Sequence, residues 1–198
     1  MDTKETLLRV ATHLFAEKGF HSTSIREIAR KSKVNSSMIS YYFKGKTGLF
    51  EKILNDHATK ILKLIKAPEI QELAPNKRLV AIFECINKAQ TEDIAYIIAR
   101  ALLNKNEKTV YRIMHDCFVK EVIPIIKDVI QQCKLNPKHS AYMNHERLGL
   151  MLFTSTKLWL LYADIILTTA DNITTKKQLE DEIRLTTKHT IEEFLSDD

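Results

Sequence analysis

The chain has 198 residues, which is enough for one domain or for two small domains that share a core. It contains 4 glycines and 4 prolines, where average usage would give about 24 of the two together. Turn-rich β-sandwich and nucleotide-binding α/β folds are therefore disfavoured. Hydrophobic residues make up 44% of the chain, which is enough for a core and argues against disorder. These numbers favour long helices with few breaks.

Positive charge is concentrated in the first third of the chain. Residues 1–66 hold 13 Lys and Arg against 6 Asp and Glu, whereas residues 67–198 hold 17 against 19. A basic segment beside a nearly neutral one suggests that the first part meets a polyanion such as nucleic acid. A lysine-rich surface that only keeps the protein soluble is the plainer alternative.

Signals for the membrane and for secretion are missing from the sequence. The most apolar stretch, residues 148–167, contains Lys157 and Asp164, so no run of about 18 uncharged apolar residues exists. The N-terminus has no apolar segment of the kind that signal peptides contain. Three cysteines at unpatterned spacing fit free thiols in a reducing cytoplasm and form no zinc motif.

Apolar residues recur at helical spacing along the chain, and no segment requires a β-strand. Thr3, Thr23 and Thr47 are the expected N-caps of the first, second and fourth helices. Gly19 is expected to end the first helix, and Pro124 is expected to kink a later one. The predicted helices span residues 2–18, two turns after residue 23, 36–43, 47–66, then, after a loop at 68–75, residues 76–90, 92–103, 107–134, 144–169 and 175–196.

The second and third predicted helices are short, are joined by a tight turn and follow a longer helix, which is the arrangement of a helix-turn-helix. The exposed positions of the third helix carry small or hydrogen-bonding side chains, which let a helix enter a major groove about 12 Å wide. We therefore predict that this region binds DNA. The candidate residues on the groove-facing side are Asn35, Ser36, Ser37 and Ser40, and Arg26 is a candidate for contact with either a guanine edge or a phosphate. The candidate phosphate contacts are Thr23, Ser24, Tyr41, Tyr42 and Lys46.

Several of these residues also have a plain structural role open to them. Ser and Asn near a helix start are usually caps, which applies above all to Asn35. Tyr42 can pack partly in the core with only its hydroxyl outside, and Lys46 can be an ordinary surface lysine. Helix-turn-helix shapes also occur in proteins that never touch DNA. The DNA-binding prediction therefore depends on the spacing and the local charge together.

A strong resemblance to the TetR family of bacterial transcriptional regulators is carried by two segments, GFHSTSIREIA at 19–29 and VNSSMISYYFKGKTGL at 34–49, and covers roughly residues 5–54. It implies an all-α fold with an N-terminal three-helix helix-turn-helix domain (residues 1–46) and a helical effector-binding and dimerisation domain (residues 47–198). It also implies that two sets of residues meet the DNA: Arg26, Asn35, Ser36, Ser37 and Ser40 approach the bases or the groove wall, and Thr23, Ser24, Tyr41, Tyr42 and Lys46 contact phosphates. Three residues depart from the family pattern: Ser37 replaces a frequent Gly, Ser40 a frequent aromatic residue and Thr47 a frequent Glu.

The helix predicted at 144–169 is apolar on more than one side, so it needs two packing partners. One side can pack in its own domain and the other against a second subunit. The last predicted helix offers a further apolar stripe, formed by Leu179, Ile183, Thr187, Ile191 and Phe194. We predict a homodimer through these last two helices, which also suits palindromic DNA. An ordinary monomeric core is the alternative.

Aromatic, sulfur-containing and polar side chains in the C-terminal two-thirds are candidates for an effector pocket suited to a small apolar or amphipathic molecule. They are Phe83, Tyr96, Tyr111, Met114, His115, Phe118, Trp159 and Tyr162. Each residue taken singly is explained better as a core residue, or, for the histidine, as a partly exposed or satisfied side chain.

The leading prediction is a TetR-type homodimeric repressor in the cytoplasm, associated with the nucleoid, that a small effector releases from a palindromic operator in double-stranded DNA. The alternative is a DNA-bound scaffold of the same fold whose C-terminal domain binds a protein partner. An enzyme is disfavoured because the sequence shows no nucleophile–base pair, no Gly-rich phosphate loop and no paired carboxylates in a recognisable setting. No cofactor and no metal are expected.

Overall fold

The computed structural model describes residues 2–89, 91–103, 108–139, 141–149, 151–152 and 175–196. These residues are mostly helical and contain no strand beyond an isolated bridge between Leu135 and Leu195, so the all-α prediction is confirmed. The elements are α1 (Thr3–Lys18), α2 (Ile25–Ser32), α3 (Ser37–Phe43), α4 (Lys46–Ile65), α5 (Pro68–Gln71), α6 (Pro75–Ala89), α7 (Glu92–Leu103), α8 (Lys108–Met114), a π-helix (His115–Val119), α9 (Val122–Gln132), a 3₁₀ turn (Pro137–His139) and the last helix (Lys176–Phe194). Residues 145–149 and 151–152 are also helical.

Two of the predicted N-caps are wrong by one residue. Asp2, rather than Thr3, caps α1, and its carboxylate accepts a hydrogen bond from the Lys4 backbone N–H at 3.3 Å. Ser24, rather than Thr23, caps α2. In both pairs each residue is a good capping type, so the cap is decided by which backbone leaves the helical conformation. Other boundaries also shift: α4 begins at Lys46, so Thr47 lies inside it.

The helix predicted at 107–134 is divided into three parts. After α8, residues His115–Val119 form a π-helix, and α9 begins only at Val122. Pro124 is the third residue of α9, where the backbone N–H has no partner within the helix, so the missing donor costs nothing there. The proline therefore lies in the first turn of a new helix rather than kinking a continuous one.

The loop predicted at 68–75 also contains a helical turn. Pro68 begins α5, in keeping with the preference of proline for the first position of a helix. Gly19 ends α1 as predicted, with a φ of +83° that glycine adopts without strain.

The chain forms two compact units, the first made of Met1–Thr59 with Thr91–Lys120 and the second of Lys60–Gln90 with Glu121–Asp198. In the first unit, α1 packs against both α2 and α7. Its core contains Leu7, Leu14, Phe15, Ile28, Ile39, Leu49, Phe50 and Ile97. The predicted boundary between residues 46 and 47 separates two expected roles rather than two compact units, and it stays a prediction.

In the second unit, α6 packs against α9 and against the last helix. The stripe predicted to face a second subunit is largely used here, because Leu179, Thr187 and Ile191 are at most 5% exposed within the single chain. That part of the dimer prediction is therefore corrected: these side chains contribute to the protomer's own core. Residues 153–169 of the other predicted dimer helix lie outside the described residues.

Candidate nucleic-acid interface

The third helix of the predicted helix-turn-helix is anchored on one side and open on the other. Ile39 and Phe43 are 0% and 5% exposed and hold α3 in the core of the first unit. The predicted contact residues of this region are all exposed: Asn35, Ser36, Ser37, Ser40, Tyr41 and Tyr42. Tyr41 is 76% exposed, and its ring lies edge-on to that of Tyr42 with a centroid distance of 5.0 Å. The open side thus presents hydroxyls, an amide and two phenols.

The start of α3 is fixed by Asn35, which has the capping role that the sequence left open. Its Oδ1 accepts hydrogen bonds from both the backbone N–H and the hydroxyl of Ser37, each at 2.9 Å. Ser36 occupies the N-cap position but makes no capping bond through its side chain. The two amide N–H donors of Asn35 are the part of this side chain that capping does not use.

The start of α2, the helix that precedes α3 in the chain, also carries predicted contacts. The Ser24 hydroxyl accepts a hydrogen bond from the Glu27 backbone N–H at 3.1 Å, and Arg26 in the first turn is exposed. A helix N-terminus offers backbone N–H groups and a partial positive charge, which suits a phosphate. Ser24 and Arg26 are therefore placed where a phosphate contact is chemically reasonable.

Thr23 differs from the exposed predicted contacts, because its side chain is 1% exposed. Its hydroxyl donates to the carbonyl oxygens of Gly19 at 2.8 Å and Leu14 at 3.2 Å. The hydroxyl therefore supports the end of α1, and a phosphate contact by Thr23 would have to use the backbone.

Lys46, one of the predicted phosphate contacts, is not an ordinary surface lysine, because its ammonium is hydrogen-bonded within the protein. Its ammonium donates to the carbonyl oxygens of Phe20 and Thr23, both at 2.9 Å, and to that of His21 at 3.4 Å. The Nζ atom also lies 4.5 Å from the centroid of the Phe20 ring. Partial burial of the ammonium lowers the pKa of Lys46.

Two further features of this region are not among the predicted contacts. Gly48 is required where α4 crosses the end of α3, because a Cβ there would lie 1.9 Å from the Phe43 carbonyl oxygen. Lys33 and Lys44 are exposed residues with positive φ that end α2 and α3. They add positive charge on either side of α3, and the available signal was a basic residue in each turn that borders this helix.

Comparisons with known proteins show what this region of the chain is similar to. The family model described as "Bacterial regulatory proteins, tetR family" matches residues 7–53, which contain every residue of the candidate interface. Residues 7–53 of the chain therefore form a TetR-type helix-turn-helix domain.

Two curated proteins resemble the chain in the same region. "Probable HTH-type transcriptional regulator YttP" of Bacillus subtilis (strain 168) is 48% identical over 56 residues, which is 28% of this chain and 27% of that protein. "HTH-type transcriptional repressor Rv3405c" of Mycobacterium tuberculosis (strain ATCC 25618 / H37Rv) is 42% identical over 59 residues, or 30% and 31% of the two chains. The chain thus spans less than a third of the length of these relatives.

A solved structure supports the fold over the whole chain. A protein from Saccharomonospora viridis, solved in complex with choline, superposes with a TM-score of 0.71 and covers 98% of both chains at 16% identity. At this identity the likeness shows a shared fold alone and nothing about the ligand of the present chain.

The predicted pocket residues are divided between the two compact units. Phe83 is a core residue of the second unit, at 2% exposure, whereas Met114 is a core residue of the first. Tyr96 and Phe118 pack against the core of the first unit, and Tyr111 is 49% exposed. His115 is partly exposed, and its Nδ1 lies 3.6 Å from a carboxylate oxygen of Asp116. Trp159 and Tyr162 lie outside the described residues.

The second unit contains a groove that none of the described residues among the predicted pocket residues lines. Its volume is about 410 Å³, and its lining residues are Ile123, Ile126, Lys127, Ile130, Gln131, His145, Glu146 and Gly149. The isoleucines of α9 make the wall apolar, and two charged residues of opposite sign border it. In the sequence these isoleucines resemble ordinary core residues, because only the packing of α9 against residues 145–149 creates the groove.

Two expected absences concern only the part of the chain that the structure describes. Within it, no group of three His, Cys, Asp or Glu side chains is placed to hold a metal ion. No helix among these residues has the length and apolar character needed to cross a membrane.

Proposed function

We propose that this protein is a homodimeric transcriptional repressor of the TetR family that binds a palindromic operator through α3 of each protomer. The observation that carries the proposal is the open side of α3, whose exposed side chains are small or hydrogen-bonding, within the segment matched by the family model. Repression rather than activation is supported by the repressor named among the relatives. The protein would act in the cytoplasm on the nucleoid.

In the proposed complex, α3 lies in the major groove. Ser37 and Ser40 have short side chains, so the helix backbone approaches the base edges closely. The hydroxyls of Tyr41 and Tyr42 and the N-terminus of α2 bind phosphates on either side of the groove. Two such heads in a symmetric dimer would be about 34 Å apart, one turn of DNA.

Release of DNA is assigned to a small effector bound in the second unit. The groove beside α9 is the candidate site, and its isoleucine wall with Lys127 and Glu146 at the border suits an amphipathic molecule. The choline complex of the related fold supports a small ligand in general. An effector acts only if it binds the DNA-free conformation more tightly than the DNA-bound one.

The DNA-binding proposal is tested by selecting duplexes from a random library with the purified protein. Fluorescence anisotropy then compares a selected duplex with a scrambled one at several salt concentrations. We expect a palindromic preference and a salt dependence of about −0.9 in the log–log slope per phosphate contact. Equal binding of both duplexes would contradict the proposal.

The role of α3 is tested with Ser40→Glu, which places a negative charge on its exposed side. We expect affinity for the selected duplex to fall at least tenfold, since one base contact contributes about 1–3 kcal/mol. Thr59→Glu is the matched control, because Thr59 is exposed on α4 and the added charge is the same. An unchanged affinity of the Ser40 variant would exclude α3 as the DNA-reading helix.

The effector proposal competes with the scaffold alternative, because an open apolar groove can also accept a segment of a protein. A thermal-shift screen with small amphipathic molecules distinguishes them. A true effector raises the Tm and, by linkage, lowers the affinity for the selected duplex. A screen without such a molecule would favour the scaffold.

A further inference from the structure

Lys46 joins two parts of the helix-turn-helix that are far apart in sequence. It is the first residue of α4, three positions after the end of α3 at Phe43. Its three carbonyl partners all belong to the connection between α1 and α2. The side chain therefore links the junction that follows α3 to the junction that precedes α2.

The hydrogen-bonding capacity of the ammonium is fully used within the protein. An ammonium has three N–H donors, and each one here has a carbonyl oxygen within 3.4 Å. A phosphate contact would require Lys46 to give up at least one of these bonds.

The surroundings of Lys46 show that the connection is held from more than one direction. The ammonium lies over the ring of Phe20, which itself packs against Phe15 and Phe50 with centroid distances of 5.8 and 5.0 Å. Thr23 is bound through its carbonyl to Lys46 and through its hydroxyl to the end of α1. The next residue after Thr23 is the cap of α2.

We propose that Lys46 is a positioning residue for DNA binding, which fixes the α1–α2 connection so that the N-terminus of α2 and the open side of α3 face the DNA together. It does so from inside the protein and does not contact a phosphate. This proposal rests on the proposed function, because it assigns how that interface is held in shape.

The test uses two variants and one control in the full-length protein. Lys46→Met keeps most of the stem over Phe20 but removes the three donors, and Lys46→Arg keeps the charge in a planar group that does not match three converging carbonyls. Lys44→Asn removes the same charge two residues away, at an exposed site with φ +59° that asparagine tolerates.

For both Lys46 variants we expect a lower Tm and faster amide hydrogen exchange in the first turn of α2, measured without DNA. We also expect about tenfold weaker binding of the selected duplex by Lys46→Met, with an unchanged salt slope, because no phosphate contact is lost. Lys44→Asn is expected to leave the Tm and the exchange rates unchanged.

The opposite results would overturn the proposal. A direct phosphate contact predicts that Lys46→Met lowers the salt slope by about 1, leaves the Tm unchanged and is rescued by arginine. If Lys46→Met does not fold, Lys46→Arg decides by its exchange rates and DNA affinity. Failure of the wild-type protein to select any DNA is a separate result that rejects the proposed function, while exchange in the free protein still measures the Lys46 contacts.

Discussion

A buried hydroxyl decides the local structure at Thr23. The side chain has the size of valine, yet its Oγ1 donates to two carbonyl oxygens at the end of α1. A buried hydroxyl without partners would be costly, so these bonds explain why a polar residue is tolerated at 1% exposure. Thr23 is therefore expected to contribute to the stability of the protein whether or not it contacts DNA.

Thr23→Val tests this role with almost no change in volume. We expect a loss of about 1–2 kcal/mol in the free energy of unfolding, the range for removing hydrogen bonds of this kind. Urea denaturation followed by circular dichroism measures it. Thr47→Val is the control, because Thr47 is exposed on α4. An equal stability of the Thr23 variant and the wild type would show that the two bonds contribute nothing.

The thiol of Cys133 is a second buried group, and its burial leads to a prediction about its chemical reactivity. It is 4% exposed, and burial raises its pKa to about 11. Since the thiolate is the reactive form, the fraction that can be alkylated at pH 8 is very small. We expect iodoacetamide to leave Cys133 unmodified in the native protein and to modify it in urea, as measured by peptide mass spectrometry. Rapid modification under native conditions would contradict the buried position.

At the scale of elements, the sequence predicted a helix correctly where the apolar spacing and the charges at both helix ends agree. The predicted span 92–103 is the observed span of α7, which has two acidic residues in its first turn and Arg100 in its last. The span 107–134 failed because apolar spacing over a few residues does not separate an α-helix from a π-helix. A proline is compatible with either a kink within a helix or the first turn of a new helix, and Pro124 lies in the first turn of α9.

Only part of the candidate site was predictable, because some of its features depend on residues close in sequence and others on contacts between distant residues. The exposed side of α3 was predictable, because helical spacing alone places Ile39 on the buried side and the short side chains on the opposite side. The contacts of Lys46 join positions more than 20 residues apart, and the groove beside α9 depends on packing against residues 145–149. No local pattern specifies contacts of this kind.

At the crossing of α3 and α4, the direction of the stability change caused by Gly48→Ala shows whether glycine is required there. In an ordinary exposed helix, Gly48→Ala would stabilise the protein by up to about 1 kcal/mol. Here the new Cβ would lie 1.9 Å from the Phe43 carbonyl oxygen, so the two helices must move apart. We expect a destabilisation of about 1–3 kcal/mol, measured by urea denaturation, and weaker binding of the selected duplex.

Thr47→Ala is the neighbouring control for this crossing, because Thr47 is exposed and α4 continues through it. Its free energy of unfolding should change by no more than about 0.5 kcal/mol. A Gly48→Ala variant as stable as this control would mean that the helices separate at no cost, and that glycine is not required at the crossing.

For the whole molecule, the proposed homodimer requires a surface that joins two protomers. The apolar stripe of the last helix is already buried in the protomer, as Leu179 and Ile191 show. The same helix exposes Leu185, which is 45% accessible in the single chain. A large exposed apolar side chain on the proposed dimer helix is a reasonable centre for a contact that is repeated by symmetry.

Leu185→Glu is therefore expected to shift the protein from dimer to monomer in sedimentation experiments, because a symmetric contact places two added carboxylates close together. Tyr142→Glu is the control, since Tyr142 is 51% exposed in the same compact unit but not on the last helix. A monomer brings one head to the DNA instead of two, so the slope of log affinity against log salt should fall to about half. A Leu185 variant that remains dimeric with the full slope would place the interface on another face.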